Sequence, residues 1–351
     1  MVQSSSIISA DLLDTADALE AADEFEAAEA AQAAETRALE IGAAQHGQRL
    51  DRALADLVPE FSRNYLQQLV EAGAVRWNGV VASKPALRVR LGERGEIELR
   101  PTPQAQAFLP EAMPIATVYE DEHLRVIDKP AGLVVHPAPG NWRGTLLNGL
   151  LALDPRAARL PRAGIVHRLD KDTSGLMVVA RTRAAMDALV ARIAAREVRR
   201  HYVALAHRPW RGAPERRVDA AIGRDPRNRQ RMAVVDLQRQ PGKTALTDIA
   251  LLQSAEPGCW VRCALHTGRT HQIRVHMASI GHPLVADALY GGAPAAGLAR
   301  QALHAFSLGF VHPATGEAMQ FAAPLPQDLR EALAAWGLRY NQFDTADASL
   351  P

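Results

Sequence analysis

The chain has 351 residues, enough for about two domains and a sizeable core. Its composition, 48% hydrophobic and 23% charged, is that of a globular protein. No apolar run approaches the ~18–20 residues that a membrane-spanning helix requires, so a membrane protein is not expected.

The net charge of +1 hides a strong asymmetry. Residues 1–40 contain ten acidic residues and a single basic one, Arg37, which makes a net charge of −9. The remaining chain has 39 basic and 29 acidic residues, a net charge of +10. A basic body favours a polyanionic partner such as nucleic acid, although a solvated charged surface gives the same counts.

The N-terminal segment, residues 1–40, is rich in Ala, Glu, Asp and Ser, which predicts an acidic disordered tail. The basic segment of a secretory signal is missing from it, so a cytoplasmic location is expected. Cys259 and Cys263 are interpreted as reduced core thiols, because no second pair with zinc spacing lies near them.

A small domain of helices and strands is predicted over residues 47–100. Leu50 and Leu54 recur at helical spacing within residues 48–58, and Ser62 is a suitable cap for a second helix that Gly73 ends. Strand-like pieces follow, the first of them turning at Asn78-Gly79. This order indicates a compact helix–helix–strand unit.

A Pro-rich linker, residues 101–114, separates this unit from a second domain at residues 115–338, and residues 339–351 form a C-terminal tail. Short strand-like segments dominate the second domain, including the apolar run 176–180, which is typical of a strand buried on both faces. Helices are predicted only at intervals, after Thr145 and after the cap residue Thr182. The pattern indicates an α+β fold with a mixed sheet rather than a doubly wound parallel one.

The first polar cluster is residues 164–175, GIVHRLDKDTSG, between two apolar strand-like pieces. Such a loop can present an ionised carboxylate, and Asp170 is the candidate, although a lone loop Asp is more often a turn or cap residue. The chain has no GxSxG elbow, HExxH motif, phosphate-binding loop or dinucleotide fingerprint. Hydrolase and nucleotide-driven functions therefore lack their usual sequence support.

The second cluster is residues 265–291, LHTGRTHQIRVHMASIGHPLVADALYG. Thr270 is predicted to cap a helix ending at Gly281, with His271 and Arg274 on one apolar stripe of that helix. An arginine in such a position needs a carboxylate or phosphate partner. His271 and His276 lie on different sides of the helix, so a metal site is not expected.

These residues resemble a known family. HRLDKDTSGLMVVA, HYVAL and TGRTHQIRVHMASIGHPLVAD are similar to the signature motifs of the RluA family of pseudouridine synthases, over a resemblance that runs from residue 111 to residue 326. Residues 48–99 are similar to the alpha-L RNA-binding module, through RLDRAL, Ser62-Arg63, and VRWNG followed by Lys84. One departure is Ala286-Asp287, where the family usually has Gly-Asp.

The resemblance implies an isomerase that converts uridines in RNA to pseudouridine without a cofactor or metal. It places the catalytic carboxylate at Asp170, its ion-pair partner at Arg274 and an active-site tyrosine at Tyr202. RNA-binding roles are expected for five further side chains and for the basic run of residues 224–231. The five are Arg168, Arg269, Arg49, Arg63 and Lys84.

Several alternatives stay open at this point. Asp170 can attack the ribose covalently or remove a proton from it. A non-catalytic ribosome-binding factor and a glycosidic-bond hydrolase are the rival functions, the latter with Asp172 as its second carboxylate. The resemblance favours a helix–loop of large-subunit ribosomal RNA, or its precursor particle, but does not exclude transfer RNA. A monomer without a membrane or DNA partner is expected.

Overall fold

The computed structural model describes residues 35–100, 107–138, 140–228 and 230–340. The chain divides into two compact units, one reaching Leu109 and the other beginning at Pro110. In the described ranges, no helix combines the length and the apolar character needed to cross a membrane.

The small unit packs two helices on a four-stranded sheet of order β1-β4-β2-β3. The elements are β1 (Glu35–Glu40), α1 (Leu50–Leu57), α2 (Arg63–Glu71), β2 (Val75–Trp77), β3 (Val80–Val81) and β4 (Arg94–Leu99). The side chain of Ser62 accepts a hydrogen bond from Tyr65 N, so the predicted cap of α2 is confirmed. Leu50, Leu54 and Leu66 are fully buried between the helices and the sheet.

The start of this unit corrects the predicted tail. Glu35–Glu40 was assigned to the disordered segment, but it forms β1 and pairs antiparallel with β4, Glu35 opposite Leu99. Most of its side chains are exposed, although Leu39 packs against the core, so this edge strand is held mainly by backbone hydrogen bonds to β4. Residues 1–34 of the predicted tail, and the C-terminal tail from residue 341, lie outside the described residues.

The large unit is an α+β domain around one nine-stranded sheet of order β5-β6-β7-β14-β8-β13-β12-β9, with β15 beside β14. Its first strands and helices are β5 (Ala116–Glu120), β6 (Leu124–Lys129), α3 (Leu146–Leu153), β7 (Ser174–Ala180), α4 (Arg183–Ala194) and β8 (Arg199–His207). The remaining elements are β9 (Glu215–Asp219), β10 (Ile222–Arg224), β11 (Met232–Val234), β12 (Leu246–Ala255), β13 (Gly258–Leu265), α5 (Gln272–Ser279), β14 (Leu303–Val311), β15 (Ala318–Ala322) and α6 (Gln327–Ala335). Of these, β10 and β11 form a separate two-stranded hairpin.

The main sheet is mixed and largely antiparallel, as the sequence predicts. The parallel pairing joins β7 to β14, where Gly175 lies opposite Ala305. A Cβ atom at Gly175 would lie 2.2 Å from Ala305 O, and the residue has a φ of 117°, so only glycine fits this close approach. Every residue of β7 is buried, which confirms the predicted strand with two covered faces.

The predicted linker is shorter than expected at its C-terminal end. Glu111 N donates to Asn148 O at 3.0 Å, and Met113 lies against Gly149 of α3, so residues 110–114 belong to the large unit. Residues 101–106 lie outside the described residues.

The start of α5 is a second correction. Thr270 was predicted as its cap, but the helix begins at Gln272 and the preceding residue is His271, in the left-handed region with a φ of 56°. The Gln272 side chain closes the turn instead, because its Oε1 accepts from Arg269 N at 3.0 Å and from Thr267 Oγ1 at 2.7 Å. His271 is therefore not on the helix stripe and lies in the turn before it.

Candidate active site

Asp170 lies in the loop that leads into β7, and buried groups fix this loop from both sides. Its neighbour Leu169 is buried in the main core. The ammonium group of Lys129, at the end of β6 and fully buried, donates to the carbonyls of Lys171, Leu133 and Pro130 at 2.8–3.0 Å. The three ammonium protons thus tie the backbone next to Asp170 to the segment that follows β6.

Arg274 brings a cation to Asp170 from α5. Its Nη1 lies 3.0 Å from Asp170 Oδ2, and the two side chains are 8% and 16% exposed. The preceding residue, Ile273, is buried in the same core as Leu169, which anchors both partners to one packed layer. The structure therefore brings together the predicted pair, although 104 residues separate them in the chain.

Asp287 is a partner of Arg274 that sequence reasoning missed. Its two carboxylate oxygens accept from Nε and Nη2 of Arg274, both at 2.8 Å, and its side chain is 1% exposed. Burial by itself would lower the pKa of Arg274, but the Asp287 hydrogen bonds and the charge of Asp170 outweigh burial and raise that pKa. The sequence did contain a sign of this role, because Asp287 lies in the second polar cluster, residues 265–291.

Ala286 has a backbone conformation that explains the usual glycine of the family. Its φ is 58°, in the left-handed region that costs a residue with a Cβ about 1–2 kcal/mol. The turn is closed by hydrogen bonds from Ala286 N to Ala293 O and from Gly292 N to Asp287 O, each 2.9 Å. The strained backbone of Ala286 thus occurs in the turn that directs the Asp287 side chain toward Arg274.

His271 and Tyr290 complete the surroundings of Asp170, and both were missed as site residues. His271 Nε2 lies 3.9 Å from Asp170 Oδ1, and His271 Nδ1 lies 2.8 Å from Tyr290 Oη. Burial lowers the pKa of His271, so the ring is neutral at neutral pH. Tyr290 Oη also accepts from Met232 N, so the phenol links His271, in the turn before α5, to the start of β11.

Two arginine guanidinium groups lie over the ring of Tyr290. The guanidinium carbon of Arg274 lies 5.0 Å from the ring centroid and that of Arg231 lies 5.5 Å from it. Arg231 belongs to the predicted basic run of residues 224–231, which forms the connection between β10 and β11. One described end of the run therefore reaches the active site; Arg229 lies outside the described residues.

Tyr202 lies on β8 at the floor of the site and is 5% exposed. Burial, reinforced by the nearby charge of Asp170 and opposed by that of Arg200, raises the pKa of Tyr202 to about 12. The phenol is therefore neutral at physiological pH. The charge of Asp170 acts on Tyr202, so the two lie in one region of the domain, and the active-site role of Tyr202 stays a prediction.

The predicted RNA-binding side chains of the large unit lie close to this site. Arg168 is exposed two residues before Asp170, and its charge acts on His136 and His271. Arg269 is partly buried, and its Nε donates to Thr244 O at 3.0 Å. Arg168 lies in the loop that carries Asp170, and Arg269 lies in the turn that carries His271.

In the small unit, Arg49 and Arg63 share a buried carboxylate. Asp51, which is 0% exposed, lies 3.1 Å from Arg49 Nε and 2.8 Å from Arg63 Nη2, and Gln67 Nε2 donates to it at 2.5 Å. The two arginine side chains remain 43% and 48% exposed. Lys84 is exposed as well. Asp51 thus orients two half-exposed cations at the start of α1 and α2.

Comparisons with known proteins agree with this fold. The family model of RNA pseudouridylate synthase matches residues 123–279, and that of the S4 domain matches residues 48–94. A Neisseria meningitidis serogroup B protein named ribosomal large subunit pseudouridine synthase D is 47% identical over 300 residues, 82% of this chain and 78% of that protein. An Escherichia coli O6:H1 protein of the same name is 45% identical over 304 residues, 82% of this chain and 90% of that protein.

The solved structure of human RNA pseudouridylate synthase domain containing 1 aligns with a TM-score of 0.54 and 28% identity, over 68% of this chain and 96% of that one. The fold and the relatives define an RNA-modifying isomerase with an RNA-binding domain before its catalytic domain. The chain belongs to the RluA family of RNA pseudouridine synthases.

Proposed function

We propose that this enzyme isomerises uridines in a helix–loop of large-subunit ribosomal RNA, with Asp170 as its catalytic carboxylate. The observation that carries the proposal is the chain of contacts from Asp170 through Arg274 to Asp287, in which a buried cation orients the Asp170 carboxylate. The printed names of the 45–47% identical relatives support the choice of RNA. A substrate of this kind implies action in the cytoplasm.

The two oxygens of Asp170 have different surroundings. Oδ2 accepts from Arg274, whereas Oδ1 accepts no hydrogen bond from the residues that the structure describes, and His271 Nε2 lies 3.9 Å from it. An oxygen without a hydrogen bond keeps its lone pairs available for reaction. Oδ1 is therefore the proposed reacting oxygen, with Arg274 holding the other one in place.

The reaction exchanges one bond of the ribose for another. The bond from ribose carbon 1 to uracil nitrogen 1 breaks, the base rotates, and carbon 1 joins uracil carbon 5. Carbon 5 loses a proton and nitrogen 1 gains one, so the mass is unchanged. Oδ1 serves either route, attack on carbon 1 or removal of a ribose proton.

Tyr202 is proposed to support the base during this exchange. Its neutral ring offers an apolar surface on which a uracil can stack. A role as the base that removes the carbon 5 proton requires the phenol to lose its own proton first, which its pKa of about 12 opposes at neutral pH. The burial of Tyr202 thus favours stacking over proton removal.

The target base must leave its stack to reach Asp170, at a cost of a few kcal/mol. Arg168 is proposed to occupy the vacated space, because its guanidinium is flat, cationic and exposed beside the site. Arg269 and Arg231 are proposed to contact phosphates. On the S4 domain, electrostatic attraction of RNA is proposed for three side chains: Arg49, Arg63 and Lys84. These contacts position RNA without reading its sequence.

Asp170→Asn tests the proposed function, since it removes the charge and keeps the shape. We expect no pseudouridine in large-subunit ribosomal RNA incubated with the variant, and nearly unchanged RNA binding. Asp187→Asn, an exposed position on α4, is the matched control and should keep full activity. Mapping of pseudouridines, together with RNA mass, gives the readout: isomerisation leaves the mass unchanged, whereas a hydrolase lowers it by loss of the base. Pseudouridine formed by Asp170→Asn would contradict the proposal, and modification of transfer RNA alone would contradict the substrate.

A further inference from the structure

Arg200 on β8 is a buried cation with no partner in the described part of the chain. The side chain is 7% exposed, and none of the described residues accepts a hydrogen bond from its guanidinium or forms an ion pair with it. Its Nε is fully enclosed and unpaired. Other buried arginines of this domain are paired: Arg125 lies 2.9 Å from Glu120, and Arg274 contacts two carboxylates.

An unpaired buried charge is costly, so its retention calls for a ligand. Burial lowers the pKa of Arg200, which is the expected direction for a cation that no anion compensates. Arginine nevertheless keeps its charge at physiological pH. The free protein thus holds a positive charge in a place where only an incoming anion can neutralise it.

The position of Arg200 ties it to the active site. Arg200 and Tyr202 are two residues apart on one strand, so their side chains leave the same face of the sheet. The charges of Arg200 and Asp170 both act on Tyr202, with opposite effects. Arg199, the neighbouring residue, is exposed and leaves the opposite face.

Gly268 covers the guanidinium from the loop before α5. A Cβ atom at this exposed glycine would lie 2.7 Å from Arg200 Nη1, so the missing side chain leaves the terminal nitrogens approachable beside the loop. Arg269 follows Gly268 directly and adds a second cation nearby. His167 also lies near Arg200, but burial lowers its pKa to about 3, so it is neutral and adds no competing positive charge.

We propose that Arg200 binds a phosphate oxygen of the RNA strand that carries the reacting uridine. A planar guanidinium matches a phosphodiester in shape and charge, and RNA supplies that anion next to every base. The contact would place the strand on the face of β8 that Arg200 shares with Tyr202. The inference rests on the proposed function and adds a phosphate-binding residue to it.

The test compares Arg200→Met with Arg199→Met in the full chain. Both variants lose one positive charge from the same strand, but only the first removes the buried one. The probe is a transcribed large-subunit ribosomal RNA hairpin with uridines in its loop, and the dissociation constant is measured over a series of potassium chloride concentrations. For Arg200→Met we expect about 10-fold weaker binding. The slope of the logarithm of the dissociation constant against the logarithm of the salt concentration should also become smaller by about 0.7, which is the value for one phosphate contact to a single strand. Arg199→Met should change the slope less.

The thermal midpoint separates this role from a structural one. Removal of an unpaired buried charge should leave the midpoint of Arg200→Met unchanged or raise it, and Arg200→Lys should recover part of the binding. Should the methionine variant fail to fold, Arg200→Gln carries the same measurement. An unchanged slope, or an equal loss in Arg199→Met, would overturn the assignment. Wild-type activity on the same transcript is measured in parallel: its absence contradicts the proposed function, whereas an active wild type with an unchanged slope in the variant contradicts the Arg200 role alone.

Discussion

At the scale of single residues, the orientation of Asp170 depends on a carboxylate that has no contact with it. Asp287 occupies two donors of Arg274 and leaves Nη1 for Asp170. Because the guanidinium is planar and fixed by two hydrogen bonds to Asp287, it cannot rotate its Nη1 away from Asp170. Asp287 is therefore a positioning residue, and Ala286 holds it there through a left-handed backbone.

Asp287→Asn should lower kcat by on the order of 100-fold while leaving RNA affinity nearly unchanged, because Arg274 loses its fixed orientation. The free energy of unfolding should fall by about 3 kcal/mol, since a buried ion pair loses one partner. Single-turnover kinetics and urea unfolding measure the two effects, and Asp219→Asn, at an exposed position on β9, is the control. A normal kcat in a destabilised Asp287→Asn protein would restrict Asp287 to a purely structural role.

At the scale of elements, the two helices of the small unit are joined through Asp51 on α1 and Arg63 on α2. Burial by itself would raise the pKa of Asp51, but hydrogen bonds from Arg49, Gln67 and Arg63 outweigh it, so the pKa is lowered. The carboxylate is thus ionised at neutral pH and fixes the ends of two arginines. The shared carboxylate thus holds Arg49, at the start of α1, and Arg63, at the start of α2, side by side in one basic surface.

Asp51→Asn should weaken RNA binding although it removes a negative charge. The variant releases Arg49 and Arg63 from their shared partner, and unfolding should become easier by about 1–3 kcal/mol. Asp56→Asn on the exposed side of α1 makes the same change of charge and should leave binding equal or slightly tighter. RNA titrations of both variants provide the measurement, and equal or tighter binding by Asp51→Asn would show that the arginines need no fixed orientation.

At the scale of the whole molecule, three histidines that are wholly or partly shielded from water make the catalytic domain sensitive to acid. Burial lowers the pKa of His136 and His304 to about 4 and that of His167 to about 3. The unfolded chain takes up protons at these positions below about pH 6.5, whereas the folded chain does not. The stability is therefore complete above that pH and is lost as the pH falls toward 4.

Urea unfolding should show this loss directly. Between about pH 6.5 and 4 the free energy of unfolding should fall by up to about 4 kcal/mol per pH unit, which is the slope for three protons. His304→Gln should reduce the slope by about one third, because it removes one of the three groups. His46→Gln, at an exposed position of the small unit, should leave the slope unchanged. A wild-type slope that does not steepen in this window would mean that these histidines are protonated in the folded protein.

The sequence alone determined the features that depend on near neighbours. The caps at Ser62, Thr145 and Thr182 were predictable because each accepts a hydrogen bond from the backbone N–H group three residues further on. The apolar run of β7 was predictable because a strand covered on both faces has no polar side. Asp170 and Arg274 were recognised in the same way, since each lies in a contiguous motif.

The tertiary structure decided what joins distant segments. Asp287, His271, Tyr290 and Arg231 meet around Asp170 only because strand order brings the loop before β7, the start of α5 and the β10–β11 connection together. The strand β1 was missed because backbone hydrogen bonds to β4 hold most of it, with little apolar packing beyond Leu39. Local patterns record the interactions of a residue with its neighbours in the chain, whereas ion pairs and edge-strand pairing depend on groups that are far apart in the chain until the sheet has formed.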